Sequence, residues 1–168
     1  EAGILLDPAD PNCARQNPQD YIDVLTRLVP EAVAQARDAK RGFDPNDIIG
    51  IGVDTTGSTP IPVDESGTPL ALRDEFKKDL NAMAWLWKDH TSHAEAARIT
   101  EVAREMRPQY LAKCGGTYSS EWFWAKALHL AKSSPRVFKA MGSFVECCDY
   151  LPALLSGDTR PDRIARGI

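Results

Sequence analysis

Between Ile48 and Asp64 the chain reads IIGIGVDTTGSTPIPVD: an apolar run, a small polar loop and a second apolar run. That order constrains the fold more tightly than any other stretch. Ile48, Ile49, Ile51 and Val53 are β-branched and almost uninterrupted, which predicts a strand buried on both faces. A second strand is expected from Thr59. The loop between them carries Asp54, Thr55, Thr56, Gly57, Ser58 and Thr59. Its hydroxyls and carboxylate can replace the water around a ligand rich in hydroxyl groups, such as a sugar, because each hydrogen bond lost to water must be matched by another. The same residue types also make a polar hairpin turn. Both readings stand on these residues alone.

Helices and short strands alternate along the rest of the chain. Residues 1–16 are rich in Pro, Asp and Asn and predict an irregular lead-in. Pro18 and Asp20 then open a helix whose apolar face, from Tyr21, Val24 and Leu25 to Ala36, recurs at three- and four-residue intervals. Pro30 is expected to kink or divide it near Val29, and it should end near Gly42. After the second strand, residues 64–67 predict a turn from which residues 68–72 return as a hairpin partner beside the buried strand. Residues 73–83 are charged and irregular. An amphipathic helix is expected over residues 92–104, with Ala94, Ala97, Ile99 and Val102 inward, and a loop over residues 107–116. Another helix opens at SSEW, with Ser119 or Ser120 as N-cap, Glu121 in the first turn and Trp124, Ala127, Leu128 and Ala131 inward. Ser143 to Glu146 reads as a short strand. Asp149 is expected to cap a last helix that stops at Gly157, with Pro152 tolerated in its first turn.

With 168 residues, 43% of them apolar, the chain can bury roughly two thirds of its unfolded surface as one domain. Its net charge of −4 is spread among interspersed acids and bases, so no basic stripe is present and nucleic acid is excluded as an expected partner. No apolar run approaches the roughly 20 residues that cross a bilayer, and the start EAGILLDPADPN lacks the pattern of a secretory signal. A cytoplasmic protein without a membrane partner is therefore expected. Cys13, Cys114, Cys147 and Cys148 fit neither a disulfide framework nor a C-x-x-C zinc pattern, so reduced, packed thiols are expected, with Cys147 and Cys148 on different sides of their element. The missing initiator methionine suggests a piece of a longer protein.

Several side chains could carry chemistry. Asp89, His90 and His93 have a metal flavour, but no third ligand accompanies the two histidines, and no metal is expected. Gly115, Gly116 and Thr117 precede a helix, where exposed amides can hold an anion or simply make a turn. Trp85 and Trp87 lie in the string WLWKDHT; an indole face stacks on the C–H face of a sugar, and it also fills cores. The VDTTGST loop could grip a phosphate, as small residues between strands do in actin-like ATPases. A helix precedes it here, however, and no Walker A lysine follows, so substrate is favoured over nucleotide.

Taken together, GIGVDTTGSTPIPVD, LWKDHT, GGTYSSEWFWAKALH and VECCDYLPALLSGDTRP strongly resemble, in content and order, the ribulokinases of the FGGY carbohydrate kinase family. QNPQDYIDVLTRLVPEAV is similar to the family's first long helix, so the likeness runs from about residue 17 onward. The resemblance implies an α/β fold: part of a ribonuclease-H-like, actin-type ATPase domain with a helical insertion. Residues 1–168 would form part of the N-terminal sugar-kinase domain, without its first phosphate-binding hairpin, the general-base aspartate or the C-terminal ATP domain. The implied activity of the whole protein is ATP-dependent phosphorylation of L-ribulose, with Mg²⁺ as the metal. Neither ATP nor Mg²⁺ is expected on this chain, which carries no implied catalytic residue. Another FGGY kinase acting on a different ketose or polyol, or a non-catalytic carbohydrate-binding module, are the rival readings.

By resemblance, Thr56 and Gly57 line the sugar pocket and Trp87 is the pocket tryptophan. Asp54 either bonds a sugar hydroxyl or braces its own loop. Tyr118 and Glu121 stand where related kinases bring a helix start to the pocket. Lys88 and Asp89 are expected to pair or cap locally, and Trp85, Trp122 and Trp124 to lie in the core. Tyr150 stands where the family often has tryptophan, and CC where one cysteine is usual. Open sheet edges leave self-association into a homo-oligomer as an expectation.

Overall fold

The computed structural model describes residues 3–167. Its first element corrects the expected irregular lead-in: β1 (Ile4–Asp7) and β2 (Asp10–Gln16) form an antiparallel hairpin. The Pro, Asp and Asn residues that suggested a loop make its turn, where Asp7 and Asp10 accept from the Ala9 and Asn12 amides at 2.9 Å. β2 is central, because β4 (Ala84–Trp85) pairs along its other edge, Arg15 opposite Trp85. A second sheet pairs β3 (Pro60–Val63) with β5 (Ser143–Glu146), antiparallel, with Ile61 opposite Val145. Pro60 and Pro62 are tolerated because the sheet has only two strands.

The strongest correction concerns residues 48–53. They form no strand, and Ile48, Ile49, Ile51 and Val53 are exposed. An extended run becomes a strand only when a neighbour accepts and donates its backbone hydrogen bonds. Here β1, β2 and β4 satisfy one another, β3 and β5 do likewise, and none reaches this run. Nor do residues 68–72 return as a full strand. Val63 bridges Pro69, and Leu70–Leu72 coils into a 3-10 turn. The turn at residues 64–67 forms as expected, with Gly67 at φ +86°, where a Cβ would collide with the Thr159 carbonyl oxygen.

Helix α1 (Pro18–Ala39) is capped by Asn17, whose side chain accepts from Gln19 N at 3.0 Å. It runs unbroken through Pro30; Thr26, whose carbonyl loses its partner there, is exposed, so water can supply the missing bond. Its apolar face finds little cover, and Val24, Leu28 and Val29 stay exposed. Between β4 and β5 stand four helices: α2 (His93–Met106), α3 (Pro108–Lys113), α4 (Phe123–Ser133) and α5 (Pro135–Ala140). α3 occupies part of the expected loop, opened by Pro108 at a first-turn position where its missing N–H costs nothing.

The buried faces of α2 and α4 also differ from those expected. α2 buries Glu95, Ala96 and Thr100 and exposes Ala94 and Ala97. α4 buries Ala125, Lys126 and Leu130, leaves Trp124 exposed, and has Trp122 as N-cap. Polar side chains that find partners displaced apolar ones: Glu95 accepts from Lys132 at 3.2 Å and lies 2.9 Å from His129 Nδ1. Burial alone would raise the Glu95 carboxyl, but these two bonds outweigh it and bring it below its ordinary value. α6 (Cys147–Ser156) begins at Glu146 as N-cap, with Asp149 in its first turn, and ends at left-handed Gly157. Cys147 is buried and Cys148 exposed, as two adjacent residues on one helix require. The core gathers Leu70, Phe76, Met83, Trp85, Leu130 and Phe144, with Ile61, Val63, Val145 and Tyr150 beside them.

Candidate functional site

The LWKDHT segment is built on β2. Leu86 N donates to Ala14 O at 3.1 Å and His90 N to Asn12 O at 2.9 Å. Asp89 is fully buried beneath the turn: it accepts from Ala14 N at 2.7 Å and from the Thr91 hydroxyl at 2.6 Å, and it pairs with buried Arg15. Asp89 therefore caps locally as expected, but its ion pair is with Arg15; Lys88 is exposed. Arg15 lies 3.5 Å above the Trp85 ring, and burial brings its guanidinium down to about 10. Asp89 N closes the turn onto Leu86 O at 2.9 Å, and Trp87 stands on its outer side, 45% exposed. Trp85 points the other way into the core, edge-on to Phe144.

The DTTGST loop reaches the same corner from the second sheet. Glu146 accepts from Ser58 Oγ at 2.7 Å and from Thr59 N at 2.8 Å, and the Thr56 and Thr59 hydroxyls lie 3.2 Å apart. Burial raises the Glu146 carboxyl above its ordinary value, against the pull of those bonds and of Lys126. Lys126 joins the loops. Its ammonium donates to Ser58 O at 2.7 Å, Leu86 O at 2.7 Å and Trp85 O at 3.4 Å.

Of the residues singled out in the sequence, the structure brings together the 56–58 loop and Trp87 through this lysine. Tyr118 and Glu121 come from the segment ahead of α4. Tyr118 N donates to Thr100 Oγ1 at 2.9 Å, and its ring stands edge-on to Trp122 at 4.9 Å. Burial raises its phenol above the ordinary value. Glu121 lies 3.7 Å from His90 Nε2, while His90 Nδ1 is 2.9 Å from Ser120 Oγ. Glu121 and Glu146 both act electrostatically on Lys126, so the acids flank one lysine. Asp54 is exposed, and no hydrogen bond among the described residues ties it to its loop. A Cβ at Gly57 would meet no protein atom within 4 Å, so the space beside it is open to a ligand. Gly115 and Gly116, at φ +76° and +88°, make the turn after α3.

Sequence reasoning missed Lys126, Glu146 and Arg15. One signal for Lys126 was present: residues 122, 126 and 130 fall on one helical row, Trp, Lys, Leu, and a lysine between two apolar neighbours on a buried row needs acceptors. No group of three or more His, Cys, Asp or Glu side chains among the described residues could hold a metal ion. The corner offers hydroxyls, an exposed indole and carboxylates, which suit a polyhydroxylated ligand.

No family model matches the chain. Its fold matches part of a crystal structure of a xylulose kinase from Brucella ovis, with TM-score 0.63 and 20% identity over 91% of this chain and 27% of that one. The fold is accordingly that of part of a carbohydrate kinase, α/β and actin-like, with helices inserted between β4 and β5. Within that class the chain corresponds to a segment of the ribulokinases. It is 46% identical to a ribulokinase from Vibrio parahaemolyticus over 99% of its own length. Identity is 40% over 89% of the chain with one from Mycolicibacterium smegmatis, and 35% over 92% with one from Bacillus licheniformis. The chain spans only 29%, 25% and 27% of those relatives, respectively.

Proposed function

We propose that the whole protein carrying this chain is an ATP-dependent L-ribulokinase, making L-ribulose 5-phosphate in arabinose catabolism in the cytoplasm. The chain, as part of the N-terminal sugar-kinase domain, supplies one wall of the sugar site. Thr56 and Gly57 line it, Trp87 stacks on the sugar, and Asp54, Tyr118 and Glu121 offer polar contacts at its rim. The 46% identity to a ribulokinase over 99% of the chain carries this reading, and the convergence of the two loops on Lys126 supports it. No helix among the described residues is long and apolar enough to cross a membrane.

Phosphoryl transfer needs a carboxylate to take the hydroxyl proton and cations around the transferring group, because positioning and charge stabilisation supply nearly all the rate. The resemblance to the ribulokinases assigns ATP, Mg²⁺ and the base to other parts of the protein. This chain's residues bind and orient the sugar and cover its apolar face.

ADP release by the whole protein with Mg²⁺ and ATP tests the reading over L-ribulose, D-ribulose, L-xylulose, D-xylulose and glycerol. A clear preference for L-ribulose is expected. Preference for another sugar would keep the kinase and overturn the substrate, and no turnover with any would favour a carbohydrate-binding module.

A further inference from the structure

Lys126 has no solvent exposure, yet it belongs to no buried ion pair among the described residues. Its ammonium is directed wholly at backbone, with Ser58 O, Leu86 O and Trp85 O within 2.7–3.4 Å. Three carbonyls around three N–H donors match the valence of the charged form. A neutral amine has two N–H groups and a lone pair, so it leaves one carbonyl unpartnered. The segments it joins lie in different sheets: Ser58 leads into β3, whereas Leu86 follows β4. Glu146 holds the far side of the first segment through Ser58 Oγ and Thr59 N, and Asp89 the inner side of the second through Ala14 N and Thr91. Each loop is thus rigid by itself, and Lys126 sets their spacing.

We propose that Lys126 is a positioning residue for the sugar site: its ammonium fixes the gap between the 56–58 loop and the Trp87 turn, and the sugar wall is complete only while all three carbonyls are held. The inference rests on the sugar-site reading of these loops given above. The charged groups facing Lys126 are Glu146 from β5, Glu121 from ahead of α4 and Arg15 from β2. Burial opposes its charge most strongly, the two glutamates favour it and Arg15 opposes it, leaving the ammonium lowered to about 7. Between there and the ordinary lysine value the unfolded chain binds more protons than the folded one, so this group makes the fold more stable as pH rises through that window. Over the same rise the clamp loses a donor. Loop order and overall stability therefore move in opposite directions, whereas a lysine that served only the fold would move them together.

The test uses the whole protein. Hydrogen exchange compared between about pH 6 and pH 9, corrected for the intrinsic rate, should show protection at Thr59, Leu86 and Asp89 falling about tenfold more than in the α2 interior, with no drop in thermal midpoint. Lys126→Met keeps the stem and removes the donors. It should show that loss already at the lower pH and raise the Michaelis constant for L-ribulose about tenfold, with that for ATP within about twofold. Lys132→Met, on the same helix but an exposed side chain bound to Glu95, should change neither constant. A uniform fall in protection, or an unchanged sugar constant in folded Lys126→Met, overturns the proposal. If Lys126→Met does not fold, the wild-type pH comparison decides. Should the wild type phosphorylate no sugar, the functional reading falls, and the exchange comparison still decides the clamp.

Discussion

The polar loop at residues 56–59 and the apolar run at residues 48–53 are close neighbours in sequence with opposite fates. The loop is full of hydroxyls, yet Thr59 is buried and each end is fixed by a named partner, Lys126, Glu146 or the amide of Cys147. The run is nearly all β-branched, yet Ile49 is fully exposed and no strand among the described residues pairs with it. The contrast teaches that apolar content marks where a strand can form, while backbone partners decide whether it does. The same lesson holds on α1, whose exposed Val29 borders, with Leu25, an apolar groove of about 300 Å³ shared with Leu154 and Leu155 of α6.

Breaking the fixed corner should have the largest effect. Asp89→Ala leaves Arg15 buried without its carboxylate, which typically costs about 3–5 kcal/mol, a large part of a domain's total stability. Urea unfolding of this chain should show the loss, and an unchanged midpoint would mean that the buried pair is not what holds the turn onto β2. A smaller effect sharpens the other side of the contrast. Ile51→Lys should shift the stability of this chain by no more than about 0.5 kcal/mol, because the site is exposed. In the whole protein the same substitution should cost several times more, as expected for a run that pairs there with strands outside this chain. Equal small shifts in both would show that the run stays bare.

Much of the fold was legible in the sequence. β3, β5, α1 and the Gly157 stop follow from β-branched runs, caps and glycine chemistry that act locally. What failed depended on partners. Glu95, Thr100 and Lys126 occupy buried helix positions because His129, Lys132, Tyr118 N and three backbone carbonyls await them, and a pattern of apolar residues assigns such positions to solvent. Arg15 was hidden for the same reason, lying in a segment whose Pro, Asp and Asn content disguised a hairpin. In the candidate site, motif order offered Thr56, Gly57 and Trp87 as candidates, while the lysine between their loops was missed although its place on a helical row was a signal.

The most direct test of the central claim, that this corner forms a sugar-binding wall, is the steady-state kinetics of Trp87→Ala in the whole protein. Trp87 is exposed at the outer side of its turn, so its removal should leave folding intact. The account predicts a Michaelis constant for L-ribulose raised about tenfold or more with that for ATP nearly unchanged. Equal changes in both constants, or none in either, would contradict it.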